Sequence, residues 1–284
     1  MLKGQPLQLR CAGRVLELDR PVVMGVLNVT PDSFSDGGHY LDPDAALAQA
    51  ERMTAEGAAI IDIGGESTRP GAMSVGGDEQ LRRVLPVIER VAARLPVLLS
   101  VDTSNPEVIR RAGAAGAHLV NDVRALRAPG ALEAVAAGEL GVCLMHMRGE
   151  PATMQVAPHY DDVVAEVQAF LAERVHSCIA AGIARERLCI DPGFGFGKLV
   201  AHNLQLLRAL GQFQRLGLPL AVGLSRKSML TALGARAQER LAGSLALATI
   251  AVLHGALIVR AHDVAATLDA VRIASAVKQG SSGG

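Results

Sequence analysis

Residues 24–38, which read MGVLNVTPDSFSDGG, are the stretch around which the fold is organised. They begin as a strand, because residues 22–27 form an almost unbroken apolar run, typical of strands buried on both faces. The run ends at Asn28, and a polar loop of hydroxyls, carboxylates and glycines follows. A packed strand that opens into such a loop presents chemical groups on a rigid base. The alternative is a helix cap followed by a turn, since Asp, Ser and Gly favour both.

The same pattern recurs along the chain as an alternation of apolar runs and helical spacings. Polar residues lie at or directly after the ends of almost all of the eight predicted strands, which end at Asn28, Gly64, Asp102, Asp122, Met147, Asp191, Ser225 and Asp263. Strict strand–helix alternation indicates a parallel sheet with right-handed crossovers. Eight units within about 250 residues predict a (β/α)8 TIM barrel. A doubly wound open sheet is the competing fold, but it concentrates polar strand ends at one switch point instead of spreading them over nearly all strands.

The regions outside the alternation are short. Residues 7–18 alternate weakly around Gly13 and predict a short N-terminal hairpin ahead of the barrel. No linker or low-complexity block separates the units, so we expect a single domain over residues 1–284. Its core runs from about residue 20 to residue 278, and residues 279–284 (QGSSGG) form a flexible tail.

Composition excludes several classes of function. The 284 residues have a formal net charge of zero, 2% aromatic residues and no Trp, which disfavours nucleic acid and anionic membranes as partners. No apolar run reaches the length of about 18 residues that a membrane span requires, and we expect no signal peptide. The four cysteines show no metal-binding spacing. Free thiols indicate a reducing compartment, so we expect a cytoplasmic protein.

In a barrel, the carboxyl ends of all strands meet on one face, where active sites lie. A first group on this face combines two carboxylates, an amide and an ammonium group: Asp102, Asn121, Asp191 and Lys227. Such groups suit a fused heterocycle with an exocyclic amine, because a carboxylate accepts two parallel N–H bonds. The alternative is that the strand-end residues cap the following helices. That alternative is weakest for Asp191, which precedes a proline and a glycine-rich loop. Asp62 and His146 reach the same face without an assigned role.

A second group on the face is suited to an anion. It consists of Asn28, Arg260 and His262, with residues 225–228 (SRKS) nearby. Barrels often bind phosphate beside strands seven and eight, and the Arg fork fits phosphate oxygens. Asn28, together with Asp32 and Asp36, suits Mg²⁺, which binds oxygen ligands. The alternatives are a buried hydrogen-bonded histidine for His262 and a surface charge for Arg226.

The run GFGFGK at residues 193–198 lacks the GxGxxG spacing of a dinucleotide site. We expect it to form a flexible loop over the face, with Phe194 or Phe196 available to stack on a flat ligand. The motifs of serine hydrolases, zinc proteases and P-loop proteins do not occur.

Eight stretches in order across nearly the whole chain together resemble the dihydropteroate synthase family: NVTPDSFSDGG, DIGGESTRPGA, SVDTSNPEVIR, GAHLVNDVRA, CLMHMRGEPATMQ, DPGFGFGK, GLSRKSML and RAHDV. The resemblance implies a pterin-binding TIM barrel. It also implies transfer of the 7,8-dihydropterin-6-ylmethyl group from its pyrophosphate to p-aminobenzoate, with Mg²⁺ as cofactor. The products are 7,8-dihydropteroate and pyrophosphate. A homodimer and sensitivity to p-aminobenzoate analogues are usual in the family.

The resemblance also assigns roles to individual residues. It implies a pterin site at Asp102, Asn121, Asp191 and Lys227. It implies a pyrophosphate site at Asn28, Thr68, Arg69, Arg260 and His262, with Mg²⁺ on Asn28. It implies a p-aminobenzoate site at Thr68, Pro70, Phe196, Lys227 and Ser228. The catalytic residues are then Asp36, Arg69 and Lys227, and Asp36 steadies a developing pterin cation.

Two other classes of protein share parts of this pattern. A non-catalytic pterin-binding protein would keep the first group yet form no product, and the intact Lys227, Arg260 and His262 count against it. A methyltetrahydrofolate-type methyltransferase barrel shares pterin recognition but needs no pyrophosphate site, so the loops at Asn28 and Ser225 count against it.

Overall fold

The computed structural model describes residues 7–30, 42–67, 75–234, 236 and 240–280. The strands in these ranges are β1 Leu7–Cys11, β2 Arg14–Leu18, β3 Val22–Asn28, β4 Ile60–Gly64, β5 Leu98–Asp102, β6 Leu119–Asp122, β7 Gly141–Met145, β8 Leu188–Asp191, β9 Ala221–Gly223 and β10 Ile258–Ala261. The α-helices are α1 Pro43–Ala55, α2 Gly77–Arg94, α3 Pro106–Ala114, α4 Ala131–Ala136, α5 Val163–Ala180, α6 Val200–Arg208, α7 Met229–Ala232, α8 Leu241–Leu253 and α9 Val264–Gln279. Two 3₁₀ segments cover Arg185–Arg187 and Leu210–Leu216.

The eight strands β3 to β10 form one parallel sheet in the order β8-β7-β6-β5-β4-β3-β10-β9. A parallel bridge between Ile190 and Leu220 joins the two ends of that order and closes the ring. Helices follow the strands and cover the outside, where one large apolar cluster lies between helices and sheet. The predicted (β/α)8 barrel is therefore confirmed.

The predicted N-terminal hairpin is also confirmed, and it closes the amino-terminal end of the barrel. Strands β1 and β2 pair antiparallel around Ala12 and Gly13, which both have positive φ angles (46° and 79°), as a two-residue hairpin turn requires. The buried side chains of the hairpin pack on one apolar layer to which every barrel strand contributes: Met24, Ile60, Leu98, Leu119, Cys143, Cys189, Ala221 and Ile258. This end of the barrel is thus a packed core, and it leaves the other end for chemistry.

The barrel interior changes from apolar to polar in the next layer of side chains towards the carboxyl ends of the strands. Strand β4 is buried at every position, yet it carries the carboxylate of Asp62. Ser100, the partner of Asp62 on β5, is also fully buried. Buried polar groups normally have hydrogen-bond partners. Asp62 Oδ2 has two of them, whereas Asp62 Oδ1 and Ser100 Oγ have none among the described residues.

Local signals set the helix starts behind the strands. The Asn105 side chain caps α3 by accepting from the Glu107 backbone N–H at 2.9 Å, and Pro106 occupies the first turn. Asp42 caps α1 and Asp162 caps α5 in the same way.

One predicted helix differs from the structure. The spacing of residues 202–214 predicts a continuous helix, but α6 ends at Arg208 and a 3₁₀ segment replaces its last turns. Gly217, at φ 62°, ends that segment and redirects the chain into β9. Within the described ranges, no helix is long and apolar enough to cross a membrane.

Candidate active site

A pocket opens at the carboxyl ends of the barrel strands. Its walls combine ionisable, amide and apolar side chains: Asp102, Asn121, Val123, Met145, Asp191, Phe194, Phe196, Gly223, Lys227 and Arg260. All four residues of the first predicted group lie on these walls. Arg260 of the second group joins them, so the two groups are continuous.

Arg260 links the two halves of the pocket. Its Nε donates to Asp62 Oδ2 at 2.6 Å, and its Nη2 donates to Asp102 Oδ2 at 2.8 Å. Burial disfavours the charged guanidinium, but the neighbouring Asp62 and Asp102 carboxylates outweigh this and raise the pKa of Arg260. A guanidinium has five N–H donors, so these two bonds leave three for another acceptor.

Asp62 is the residue whose role the sequence interpretation missed. It is fully buried, and its Oδ2 accepts from Asn121 Nδ2 at 3.1 Å as well as from Arg260. A single carboxylate oxygen therefore orients one predicted pterin residue and one predicted pyrophosphate residue. The available signal was a carboxylate inside the apolar run AAIIDIG, because an acidic residue is rarely buried without a partner.

The Asp102 carboxylate is poised near neutral pH. Burial raises the pKa of Asp102, the Arg260 charge lowers it, and the Asp62 charge raises it again, to about 7 overall. The ionised and protonated forms of Asp102 are therefore close in free energy at physiological pH, and a bound ligand can select either.

Asp191 and Lys227 form the wall opposite Asp62. Asp191 Oδ1 accepts from the Gly193 backbone N–H at 2.7 Å, and burial raises the pKa of this carboxyl. The Lys227 Nζ lies 4.2 Å from the centroid of the Phe196 ring, within cation–π distance. Burial and then the Arg260 charge lower the pKa of Lys227 to about 8.

Apart from Asn28 and Arg260, the predicted anion group lies in the segments that follow β9 and β10, next to the pocket residues Gly223, Lys227 and Arg260 in the chain. His262 Nδ1 and Ser225 Oγ are 3.0 Å apart, so the serine orients the imidazole. Arg226, at φ 56°, binds Asp263 through two N–H groups and so fixes the loop after β9. Arg226 is therefore a half-exposed surface charge that is paired with the residue preceding α9. Ser228 lies exposed at the start of α7.

The expectation of a flexible GFGFGK loop over the face is wrong. Phe194 is 1% exposed and Phe196 is 8% exposed, so both rings are packed into the protein. Lys198 lies beneath the loop and binds His146, which is itself buried and away from the pocket walls. Phe196 nevertheless keeps an edge on the pocket, as its predicted role requires.

Several predicted residues lie outside the described ranges: Asp32, Asp36, Thr68, Arg69 and Pro70. Their roles stay predictions. Among the described residues there is no cluster of three metal-binding side chains. The Asn28 amide does offer an oxygen at the pocket rim: a Cβ atom built on Gly64 would lie 3.6 Å from Asn28 Oδ1 and 3.8 Å from Asp102 Oδ2. Amide and carboxylate oxygens are the donors that Mg²⁺ accepts, so this rim fits the ion.

A larger cavity of about 420 Å³ opens beside the pocket, between the starts of α2 and α3 and residues 150–152. Asp102 lies on the walls of both volumes. A ligand in either one can therefore reach this carboxylate.

Comparison with known proteins places this geometry in a family. Residues 24–262 match the family described as pterin binding enzyme. The chain is 54% identical over 271 residues to the dihydropteroate synthase of Escherichia coli strain K12, covering 95% of this chain and 96% of the relative.

Solved structures agree with the sequence relatives. The Yersinia pestis dihydropteroate synthase in complex with a sulfonamide drug superposes with a TM-score of 0.91 at 52% identity, covering 96% of this chain and all (100%) of that one. The Xanthomonas albilineans dihydropteroate synthase with 4-aminobenzoic acid gives 0.90 at 55% identity, covering 96% and 98%. The family match, the identity over nearly the full length and the common barrel together show that this chain belongs to the pterin-binding enzymes of the dihydropteroate synthase family.

Proposed function

We propose that the pocket at the carboxyl end of the barrel carries out the family's reaction with the residues described above. That reaction moves the 7,8-dihydropterin-6-ylmethyl group from pyrophosphate to the amine of p-aminobenzoate, and 7,8-dihydropteroate and pyrophosphate are the products. The observation that carries the assignment is the network in which Arg260 and Asn121 share one oxygen of the buried Asp62. This network places the Asn121 amide, which suits a pterin ring, and the Arg260 cation, which suits pyrophosphate, in one pocket.

The pterin lies between Asp102, Asn121 and Asp191, with Lys227 at its side. Carboxylates accept N–H groups of the amino-substituted ring, and the Asn121 amide can accept and donate. Asn121 Nδ2 is already held by Asp62, so its side-chain orientation is set before the ligand arrives. Pre-set orientation lowers the entropic cost of binding.

The pyrophosphate lies on the cationic side of the pocket, at Arg260, His262 and Asn28. Two carboxylates hold Arg260, so its fork is fixed and its remaining N–H donors are left for the leaving group. Asn28 would hold Mg²⁺, which supplies further neutralisation of the pyrophosphate charge when bound. The predicted contributions of Thr68 and Arg69 belong to the same side.

The aryl amine enters beside Phe196, with Lys227 and Ser228 at the entrance and the predicted Thr68 and Pro70 completing the site. As the leaving group's charge is neutralised, the pterin methylene becomes electron-poor, and the carboxylates Asp102 and Asp191 favour positive charge on the ring. The carbon–oxygen bond to pyrophosphate breaks first, and its electron pair leaves with the pyrophosphate, so that a pterin methylene cation remains. The amine nitrogen then forms a bond to the methylene carbon and loses one proton, which the released pyrophosphate or solvent accepts. We infer a dissociative alkyl transfer, with Asp36 steadying the cation. Sulfonamides, as p-aminobenzoate analogues, would compete at the Phe196 face.

The outer surface and the cysteines bear on the oligomeric state and the cellular compartment of the protein. Five large apolar side chains are exposed on α8 and α9: Leu241, Ile250, Leu253, Ile273 and Val277. Because monomers rarely expose such a patch, we infer that two copies pair there as a homodimer. All four cysteines are free and buried, which is typical of a reducing compartment and supports a cytoplasmic location.

Product formation tests the proposal directly. Purified protein is incubated with pterin pyrophosphate and Mg²⁺, with and without p-aminobenzoate, and pyrophosphate and dihydropteroate are quantified. We expect pyrophosphate release that depends on p-aminobenzoate and equals the dihydropteroate formed. Asp102→Asn and Asp191→Asn should lower kcat/KM by orders of magnitude while the fold survives. Tight pterin binding without product would instead indicate a non-catalytic binder, and near-wild-type turnover of both variants would refute the assigned roles.

A further inference from the structure

Lys198 is a buried cation that the reaction as described does not use. The residue is 3% exposed and is not part of the pocket wall. Its Nζ lies 2.8 Å from the Gly193 carbonyl oxygen, 2.9 Å from His146 Nδ1 and 3.0 Å from the Phe196 carbonyl oxygen. An ammonium group has three donors, which these three acceptors match, and the His146 carbonyl oxygen is a fourth, more distant acceptor at 3.4 Å. Burial lowers the pKa of Lys198 well below its ordinary value. Burying the charged ammonium group therefore costs free energy, which its hydrogen bonds must offset.

His146 has the matching properties of a neutral acceptor. Burial and then the Lys198 charge lower the pKa of His146 to about 2, so its ring carries no charge at neutral pH. Because lysine can only donate, Nδ1 is the accepting nitrogen in this pair. The edge of the ring packs against Phe170, with centroids 4.9 Å apart, and this contact fixes its orientation. The His146 backbone N–H also donates to the Asp191 carbonyl oxygen at 3.0 Å.

The loop above Lys198 packs closely against residues 146–148. Gly193 and Gly197 have positive φ angles of 70° and 62°. A Cβ atom on Gly193 would lie 1.9 Å from the His146 carbonyl oxygen, and one on Gly197 would lie 2.2 Å from the Arg148 carbonyl oxygen. The loop is therefore pressed against residues 146–148 from one side, and Lys198 ties it down from beneath.

The anchored loop carries groups that face the pocket. The Gly193 peptide accepts from Lys198 through its oxygen, and the Gly193 N–H donates to Asp191 Oδ1. The Phe196 carbonyl also accepts from Lys198, and the Phe196 ring lies against the Lys227 Nζ. One buried ammonium thus acts, through a single further contact in each case, on the pterin carboxylate and on the aromatic face.

We propose that Lys198 is a positioning residue, which fixes Asp191 and Phe196 in the geometry that binds the pterin and the aryl amine together. This inference rests on the proposed roles of those two residues. Lys198 touches neither substrate and acts only through the loop. Its removal should therefore weaken the binding of both substrates, beyond any loss of stability.

The test compares Lys198→Met with a matched control, Arg187→Met. Arg187 is 6% exposed and is anchored in the same way, by the carbonyl oxygens of Val135 and Leu140, but it lies at the amino-terminal start of β8. Both variants should lose stability in chemical denaturation. Only Lys198→Met should raise the KM for p-aminobenzoate and for pterin pyrophosphate, by about ten-fold or more, because small displacements of binding groups have effects of that size. His146→Leu removes one acceptor only, so it should fold and raise both KM values several-fold.

Phe196→Leu separates this inference from the proposed function. If Phe196→Leu raises the KM for p-aminobenzoate while folded Lys198→Met leaves both KM values within two-fold of wild type, Lys198 is not a positioning residue and the pocket assignment stands. If Phe196→Leu also leaves the KM for p-aminobenzoate unchanged, the assignment of Phe196 to the p-aminobenzoate site is refuted, and the inference about Lys198 that rests on it is refuted as well. If Lys198→Met does not fold, unchanged KM values in His146→Leu refute the inference and raised values support it.

Discussion

Asp62→Asn is the substitution that tests most directly how the pocket is organised. The side chain is fully buried, and its Oδ2 holds Arg260 Nε at 2.6 Å and Asn121 Nδ2 at 3.1 Å. Asparagine has nearly the same shape and keeps an amide oxygen that accepts hydrogen bonds. The change therefore removes the negative charge while leaving the volume of the strand interior unchanged.

The expected loss follows from the bonds that the charge strengthens. A hydrogen bond to a charged group contributes about 1.5–3 kcal/mol. At about 1.4 kcal/mol for each factor of ten, kcat/KM for pterin pyrophosphate should fall by about ten- to a hundred-fold. Arg260 keeps its bond to Asp102, so the guanidinium does not become an unpaired buried charge. The fold should therefore survive.

The pH profile provides a second readout. The Asp62 charge is one of the causes that raise the pKa of Asp102 to about 7. Loss of that charge stabilises ionised Asp102 and lowers its pKa. The change of kcat/KM with pH that reflects the titration of Asp102 should therefore occur at lower pH in the variant.

Steady-state kinetics between pH 5 and pH 9 would measure both effects, with circular dichroism as the check on folding. A double-mutant cycle with Arg260→Lys serves as the control, because residues that share a network have effects that do not add. Strict additivity in the cycle, together with an unmoved pH profile, would refute the idea that Asp62 acts through Arg260.

Three further outcomes are expected. Ser225→Ala removes the hydroxyl 3.0 Å from His262 Nδ1 and should weaken competitive inhibition by inorganic pyrophosphate several-fold while leaving binding of pyrophosphate-free pterin unchanged, which calorimetry can measure. Lys227 has a pKa of about 8, so its positive charge disappears as pH rises through that value; kcat/KM should fall over the same range, and Lys227→Arg should shift that fall to higher pH. Leu9→Ala, at a fully buried position of the hairpin, should lower the free energy of unfolding by about 2–5 kcal/mol in denaturant titrations with kcat nearly unchanged.

The sequence was sufficient for those features that depend on local pattern. Apolar runs that stop at polar residues marked the strand ends, and the topology of a parallel barrel then required Asp102, Asn121, Asp191 and Arg260 to converge. Their convergence needed no knowledge of individual contacts.

Features that depend on distant partners were not accessible in this way. Asp62 and Arg260 are separated by 198 positions, and nothing near either one shows that they share a bond. Lys198 ends a run of glycines that reads as a mobile loop, because its acceptor on His146 is 52 positions away. The break after α6 was missed for a related reason, since the helical spacing continues through residues that form a 3₁₀ segment.

The pairing of β3 with β10 limits how early the barrel can be completed during synthesis of the chain. Val22 of β3 lies beside Ile258 of β10. The first barrel strand therefore cannot pair along this edge until the last barrel strand has been synthesised. At about 5–20 residues per second, a ribosome needs roughly ten to fifty seconds to make the intervening chain. During that time β3 has an unpaired edge, which is prone to misassociation, and the Asp62 and Asp102 carboxylates lack their cation. Arg260 arrives on the strand that completes the ring, so ring closure and neutralisation of the buried carboxylates happen in one step. A nascent chain therefore acquires a competent pocket only when its barrel is complete.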